Sequence, residues 1–160
     1  MNDDPYSDAI MDLAHKQSGH GRLADPRSSA TLDNPLCGDR VTIDVEWTNE
    51  GTLKQVAHVV RGCALCLAAA SVIGDGAPGK SINELAEAVN ELKRFLRDEK
   101  TQSLRIWPDL AVFKPIRSHK SRFDCVLLPF AALLKGLGVS EGADQGQVVP
   151  TDSTQTTKEP

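Results

Sequence analysis

The stretch Val41-Thr42-Ile43-Asp44-Val45-Glu46-Trp47 alternates apolar and polar residues without a break. A period of two is typical of a β-strand that buries one face. Asn49-Glu50-Gly51 follows as a turn, and residues 53 to 60 supply a second strand of weaker alternation. Because the connection is short, the two strands are predicted to pair as an antiparallel hairpin.

Helical patterns flank this hairpin on both sides. Residues 5 to 18 carry an apolar stripe at helical spacing, and residues 18 to 34 are predicted to form a loop. After Gly62 the composition changes to Ala, Leu and Cys, which predicts a buried helix that ends at Gly74. Residues 74 to 79 are then expected to be a loop.

The second half of the chain reads as helical with one ambiguous stretch. Ser81-Ile82-Asn83-Glu84 has the spacing of a capping box and opens a strongly periodic helix through about Asp98. Residues 101 to 118 fit either a turn of helix or a loop. Residues 121 to 137 predict a last helix with Pro129 in its first turns, where a missing N–H matters least.

These elements predict an α+β fold, a small antiparallel β-sheet packed with several α-helices. At 160 residues the chain is long enough for one core and short for two. Aromatic residues make up 4%, so the core is expected to be aliphatic. Residues 1–138 are predicted to form the domain, and residues 139–160, rich in Gly, Gln, Thr, Asp and Pro, a disordered tail.

Composition also excludes several classes of function. The net charge of -4 and the few aromatic residues argue against a nucleic-acid or anionic-membrane partner. No apolar run approaches a membrane span, and the acidic N-terminus lacks the apolar region of a secretory signal. The protein is therefore expected to be cytoplasmic, where clustered cysteines more often bind metal or carry out sulfur chemistry than form disulfides.

Three separated segments carry the candidate site. Three thiolates and one carboxylate complete a tetrahedral shell for zinc, or anchor iron and sulfide. The proposed ligands are Cys37, Asp39, Cys63 and Cys125, within Asn34-Pro35-Leu36-Cys37-Gly38-Asp39, Arg61-Gly62-Cys63-Ala64-Leu65-Cys66 and Arg122-Phe123-Asp124-Cys125-Val126-Leu127-Leu128-Pro129. Cys37 is expected in an exposed turn, and the other two cysteines at helix starts, where the helix dipole favours thiolate.

Several other residues have alternative interpretations. Cys63 and Cys66 form a C-x-x-C pair, which on its own suggests a dithiol redox site, although Cys66 also fits a small core residue. Histidines 15, 20, 58 and 119 are possible ligands, of which His119 is nearest in sequence to Cys125. A basic set near Cys125 can lower thiol pKa values, dock an acidic partner or be solvated surface: Arg105, Lys114, Arg117, Lys120, Arg122 and Lys135.

The three cysteine segments resemble the U-type iron–sulfur cluster assembly family, which comprises the IscU scaffolds, the N-terminal domain of NifU and the SufU proteins. The resemblance covers roughly residues 5 to 137. It implies an α+β, SufE/NifU-like fold and metal ligation by Cys37, Asp39, Cys63 and Cys125. It also implies that a cysteine desulfurase donates sulfur, with Cys37 the first and Cys125 the second choice of acceptor, and that apo iron–sulfur proteins receive the product.

Within that family the chain is most similar to SufU. Asp124 stands where IscU-type scaffolds carry a His before the last Cys, and the segment between Cys63 and Cys125 is longer than in those scaffolds. The resemblance implies tightly bound zinc and a SufS-like desulfurase, or alternatively iron or a [2Fe–2S] cluster. Cys66 departs from the family's usual small residue, and no Leu-Pro-Pro-Val-Lys-like chaperone-recognition stretch is present. A structural zinc module and a dithiol redox protein using Cys63 and Cys66 remain open alternatives.

Overall fold

The computed structural model describes residues 6–100 and 104–139, and it has the predicted α+β architecture. Four α-helices surround one three-stranded sheet in this part of the chain, and two 3₁₀ helices precede the last α-helix. The helices are α1 (Asp8–Lys16), α2 (Ala64–Gly76), α3 (Ile82–Arg97) and α4 (Phe123–Gly136), the 3₁₀ helices are Pro108–Ser118 and Lys120–Arg122, and the strands are β1 (Ser28–Asn34), β2 (Asp39–Trp47) and β3 (Leu53–Arg61).

The predicted hairpin is confirmed as β2 and β3, which pair antiparallel with Arg40 opposite Arg61 and Val45 opposite Val56. The prediction of a loop from 18 to 34 was wrong, because β1 adds to the free edge of β2 with Asn34 opposite Asp39. The sequence of β1 is mostly polar, and Ala30 is its one fully buried residue. An edge strand of this kind gains stability from pairing with β2, so its own hydrophobic pattern is weak.

An ion pair between the buried Asp44 and the exposed Arg22 holds the chain before β1 against the sheet. The side chain of Asp44 is completely buried and accepts hydrogen bonds from Arg22 Nε at 2.7 Å, Arg22 Nη2 at 3.1 Å, Leu23 N at 3.0 Å and Ser29 Oγ at 2.6 Å. Burial by itself raises the pKa of Asp44, but the hydrogen bonds from Arg22, Ser29 and Leu23 outweigh it and lower the pKa below its usual value. Asp44 is therefore a charged anchor inside the fold.

Two glycines in α2 allow neighbouring segments to pack closely against the helix. They do not end it, so the prediction that the helix stops at Gly74 was wrong. A Cβ on Gly74 would lie 2.1 Å from the carbonyl oxygen of Ser18, and one on Gly76 2.7 Å from Nε1 of Trp107. The helix continues through both positions to Gly76. These residues therefore serve close contact with neighbouring segments and do not end the helix.

The last two helices follow the predicted pattern with one correction. The capping box is confirmed, since Ser81 Oγ accepts from Glu84 N at 3.0 Å and Glu84 Oε1 accepts from Ser81 N at 2.9 Å. Pro129 lies within the first turns of α4, as predicted, but in the second turn, where a residue's N–H normally takes part in the helical hydrogen bonding. Because proline has no N–H, the carbonyl of Cys125 lacks the helical hydrogen bond from residue 129.

Large aromatic residues contribute more to the core than their number predicts. Trp107, Phe95, Phe113 and Phe130 are among the largest fully buried side chains, and the rings of Trp107 and Phe130 meet edge to face at 5.9 Å. The expectation of a purely aliphatic core was therefore wrong.

The end of the described chain is folded. Val139, the first residue of the predicted tail, is buried, and its N–H donates to the carbonyl of Leu134 at 2.9 Å. The rest of the predicted tail, 140–160, lies outside the described residues, as do 1–5 and 101–103. Among the described residues, no helix is long and apolar enough to cross a membrane.

Candidate metal and sulfur centre

Three chain connections meet at one end of the sheet and bring the predicted ligands together. Cys37 lies in the four-residue loop that joins β1 to β2, and Asp39 is the first residue of β2. Cys63 follows β3 as the N-cap of α2, and Cys125 is the third residue of α4. Since the start of β2 lies beside the end of β3, residues 24 positions apart in sequence become neighbours.

The loop that carries Cys37 is fixed by hydrogen bonds. The N–H groups of Cys37 and Gly38 donate to the carbonyl of Asn34 at 3.3 and 2.8 Å, and the Asn34 side chain accepts from Leu36 N at 3.1 Å. Gly38 has φ +78°, a conformation that other residues rarely adopt. The result is an exposed Cys37 thiol on a defined loop.

The ligand atoms of Cys37, Asp39 and Cys125 all lie within 4.8 Å of one another, and no other group of this kind occurs in the part of the chain that the structure describes. Cys63 adjoins them, since its Sγ donates to Oδ2 of Asp39 at 3.7 Å and its side chain is close enough to Cys125 to raise the pKa of that thiol. The structure therefore groups three of the predicted ligands, Cys37, Asp39 and Cys125, and places Cys63 next to Asp39. None of the four histidines joins this group.

Asp39 owes its position to the residue before Cys63. Asp39 is buried, and its Oδ1 accepts a hydrogen bond from Cys63 N at 3.2 Å. A Cβ on Gly62 would lie 2.6 Å from that same oxygen. Sequence inspection missed this role of Gly62, for which the signal was a glycine directly before a candidate ligand.

The electrostatics of the site favour a cation. Burial raises the pKa of Cys125 to about 12, and the neighbouring Cys63, Cys37 and Asp39 add to the effect. The expectation that the start of α4 keeps Cys125 as a thiolate is therefore wrong for the site without metal. A divalent ion would reverse this balance, because a bound cation stabilises thiolates directly. Soft sulfur donors beside one carboxylate fit zinc or iron.

Cys66 lies directly behind the site. Its side chain is fully buried, and this burial, together with the nearby Asp39 and the other three cysteines, raises the pKa of its thiol far above the usual range. The interpretation of Cys66 as a core residue is confirmed, and the dithiol interpretation stays a prediction.

The basic set divides into surface and structural members. Arg117 is buried and caps the end of α3, donating to the carbonyls of Phe95 at 2.8 Å and Glu99 at 3.2 Å. Arg122 stacks over the ring of Tyr6 at 5.7 Å, whereas Lys120 is exposed. Arg117 is therefore part of the fold and not of a docking surface.

An apolar side chain stands beside Cys37. Leu36 is 91% exposed and is the one large hydrophobic residue so exposed among the described positions. Pro35 of the same loop and Asn34 at the end of β1 line a cavity of about 290 Å³ between α3 and α4, with Leu127, Leu128 and Leu134 on its wall. Sequence analysis did not single out Leu36, although an apolar residue inside a turn is unusual.

Comparison of the sequence and the fold with known proteins identifies the family of this chain. Residues 5–122 match the family described as NifU-like N terminal domain. The chain is 24% identical over 132 residues to the iron–sulfur cluster assembly scaffold protein IscU of Thermotoga maritima, covering 82% of this chain and 92% of the relative. It is 22% identical to the protein of the same name from Streptococcus pyogenes, covering 86% of each.

Two solved structures share the fold. A nitrogen-fixing NifU-like protein (N-terminal) from Brucella abortus aligns with a TM-score of 0.78 and 31% identity, covering 84% of this chain and 92% of that one. A putative SUF-system scaffold protein from Fervidobacterium islandicum aligns with a TM-score of 0.76 and 24% identity, covering 82% and 95%. Because the family match spans most of the chain and the fold agrees, this chain belongs to the NifU-like N-terminal domain family of U-type iron–sulfur cluster scaffolds.

Proposed function

We propose that this protein is a SufU/IscU-like iron–sulfur cluster assembly protein. It binds a metal ion or nascent cluster through Cys37, Asp39, Cys63 and Cys125, and it accepts sulfur from a cysteine desulfurase. The observation that carries the proposal is the convergence of the Cys37, Asp39 and Cys125 ligand atoms within 4.8 Å, with the Cys63 thiol hydrogen-bonded to Asp39. The relatives' names, which describe scaffolds of cluster assembly, support it.

The proposed shell has one weak member. Asp39 offers a hard oxygen to an ion that prefers sulfur, so its release opens a coordination position for an incoming sulfur. A sulfane sulfur then moves by thiolate attack on a persulfide. Cys37 is the proposed acceptor, since it is the exposed cysteine of the four, and Cys125 is the second choice.

The exposed side chain of Leu36 favours docking of a protein that donates sulfur. A fully exposed leucine beside the proposed acceptor thiol gains about 1.5–3 kcal/mol if a partner's apolar pocket buries it. The adjoining cavity extends the contact surface toward α4. Desulfurases and apo iron–sulfur proteins are the proposed partners, and zinc and iron or a [2Fe–2S] cluster are both retained as the bound species.

The test is desulfurase turnover with and without this protein, followed by mass spectrometry of the chain. We expect faster turnover and an added 32 Da on Cys37, by the mass of one sulfur. Cys37→Ser should lose the added mass, and Leu36→Asp should raise the protein concentration needed for half-maximal turnover while leaving metal content unchanged. Unchanged turnover and no added sulfur, with zinc still bound, would leave the structural zinc module.

Elemental analysis and sulfide determination on protein purified without oxygen separate zinc from iron. A protein that contains neither metal but cycles between dithiol and disulfide would support the redox alternative and contradict the proposed function.

A further inference from the structure

Cys63 and Cys66 occupy the first turn of α2, and this places them at disulfide-forming distance. The distance between their Cα atoms depends on the backbone of Ala64 and Leu65, both of which are helical. The helix is regular from its start, since Leu67 N donates to the carbonyl of Cys63 at 3.0 Å. Helix geometry then separates the two Cα atoms by about 5 Å, inside the ~4.4–6.8 Å range of disulfides.

The two thiols differ in solvent accessibility, so that Cys63 can react with an incoming sulfur first and Cys66 can react only afterwards. Cys63 is partly exposed and hydrogen-bonded to Asp39, whereas Cys66, three residues further along α2, is fully buried. An incoming sulfur can therefore reach Cys63, directly or from a neighbouring cysteine, but cannot reach Cys66 from solvent. Cys66 reacts only with what Cys63 carries.

We propose that Cys63 and Cys66 act as an internal two-electron reductant that converts sulfane sulfur delivered to this site into sulfide. The proposal rests on the proposed function, since it takes the persulfide as its substrate. Clusters of iron and sulfur contain sulfide, whereas a persulfide delivers sulfur at the oxidation level of zero. Two electrons per sulfur must be supplied, and the dithiol supplies them at the place where the sulfide is used.

The reaction has two balanced steps. In the first, the outer sulfur of a persulfide on Cys125 or Cys37 passes to the Cys63 thiol, which becomes Cys63–S–S⁻ while the donor cysteine recovers its proton as a thiol. In the second, the Cys66 proton moves to the terminal sulfur of the persulfide, the resulting Cys66 thiolate attacks Sγ of Cys63, and the sulfur–sulfur bond of the persulfide breaks. The products are a Cys63–Cys66 disulfide and HS⁻.

Electrons also balance in this sequence. The sulfane sulfur gains two electrons and becomes sulfide, and the two cysteine sulfurs lose one each. The protein therefore loses two electrons and gains one Cys63–Cys66 disulfide for each sulfide released. A second turnover requires an external thiol or dithiol reductant to open the disulfide.

The experiment uses the full chain with a chemical sulfur donor, so that it is independent of any desulfurase. Reduced protein, kept without oxygen and with a chelator present, is loaded with polysulfide and freed of excess reagent. Sulfide released with time, persulfide retained and disulfide-linked peptides are then measured with no added reductant. Wild-type protein should release about one sulfide per loaded persulfide and yield a peptide pair linked through Cys63 and Cys66.

Cys66→Ser is the decisive variant, because it changes one buried atom and leaves all four proposed ligands in place. It should retain its persulfide and release sulfide at least tenfold more slowly. Circular dichroism and zinc content matching the wild type establish that its fold and site are intact, and Cys66→Ala provides a second variant if serine is not tolerated in the core.

Equal sulfide release by wild type and Cys66→Ser, or a wild-type disulfide that omits Cys66, would overturn the proposal. Either result leaves the proposed function standing if a desulfurase still transfers sulfur to the chain. Conversely, loss of desulfurase transfer with Cys66-dependent sulfide release would remove the proposed donor and retain the dithiol chemistry.

Discussion

The absence of a side chain at Gly62 leaves space for the Asp39 carboxylate, and filling that space with a methyl group tests the site directly. In Gly62→Ala the added Cβ would lie 2.6 Å from Oδ1 and 2.7 Å from Cγ of Asp39. Ordinary contact begins at 3.4 Å, so the carboxylate must retreat by 3.4 − 2.6, or 0.8 Å. That is several times the roughly 0.2 Å tolerance of a metal–ligand bond. Because Gly62 is itself exposed, the fold can absorb the change locally.

The expected cost is a loss of metal affinity and not of folding. Substitutions at groups that orient a ligand typically weaken metal binding by about 10- to 100-fold, which corresponds to about 1.4–2.8 kcal/mol. Zinc affinity is measured by competition with a chromophoric chelator in the absence of oxygen, and stability by thermal unfolding. Zinc content at saturation should stay near normal, since the three thiolates hold the ion.

Gly136→Ala is the matched control. Its new Cβ would meet Val45 Cγ2 at 3.5 Å, an ordinary contact, so affinity should be unchanged and stability equal or slightly higher. The double variant Gly62→Ala/Asp39→Ala should bind zinc no more weakly than Asp39→Ala alone, because the two changes act on the same ligand. Wild-type affinity in Gly62→Ala, or fully additive losses in the double variant, would refute the assignment of Asp39 as a ligand held in place by Gly62.

Four further outcomes are expected. Asp39→Ala should retain near-normal zinc content but transfer sulfur poorly, since a readily released ligand is lost; complete loss of metal in elemental analysis would instead make Asp39 a structural ligand. Asp44→Asn should lower the free energy of unfolding by about 2 kcal/mol at neutral pH. Because the pKa of Asp44 is lower in the folded state, the stabilisation by its carboxylate is present above the unfolded-state pKa and is lost as the pH falls through the folded-state pKa. Urea titrations should therefore find that the wild type and the variant become equally stable in acid. Arg117→Lys should lower stability by about 1–2 kcal/mol through weaker capping of α3, with zinc binding unchanged; a drop in zinc affinity would place Arg117 near the site after all. Deletion of residues 140–160 should leave the melting temperature and metal content unchanged, and a fall of several degrees would show that the segment belongs to the folded domain.

Local patterns were sufficient for much of this protein. The alternation at Val41 to Trp47 and the capping box at Ser81 predicted the central strand and the longest helix correctly, because both signals depend on neighbours along the chain. The cysteine segments predicted that Cys37, Asp39 and Cys125 would converge, since turns and helix starts hold their first residues in defined positions. These features need no knowledge of the rest of the fold.

Tertiary structure decided what depends on distant contacts. Strand β1 has little hydrophobic pattern and forms because β2 offers it an edge and Asp44 an anchor. Gly74 reads as a helix breaker, yet it lies within a helix because the Ser18 carbonyl needs the space of a missing side chain. Likewise, Cys66 is one cysteine of a short motif in the sequence, and only packing shows that it lies buried behind the ligand cluster. In each case the conformation is stabilised by contact with a group that is remote in sequence, and a local sequence pattern carries no information about such contacts.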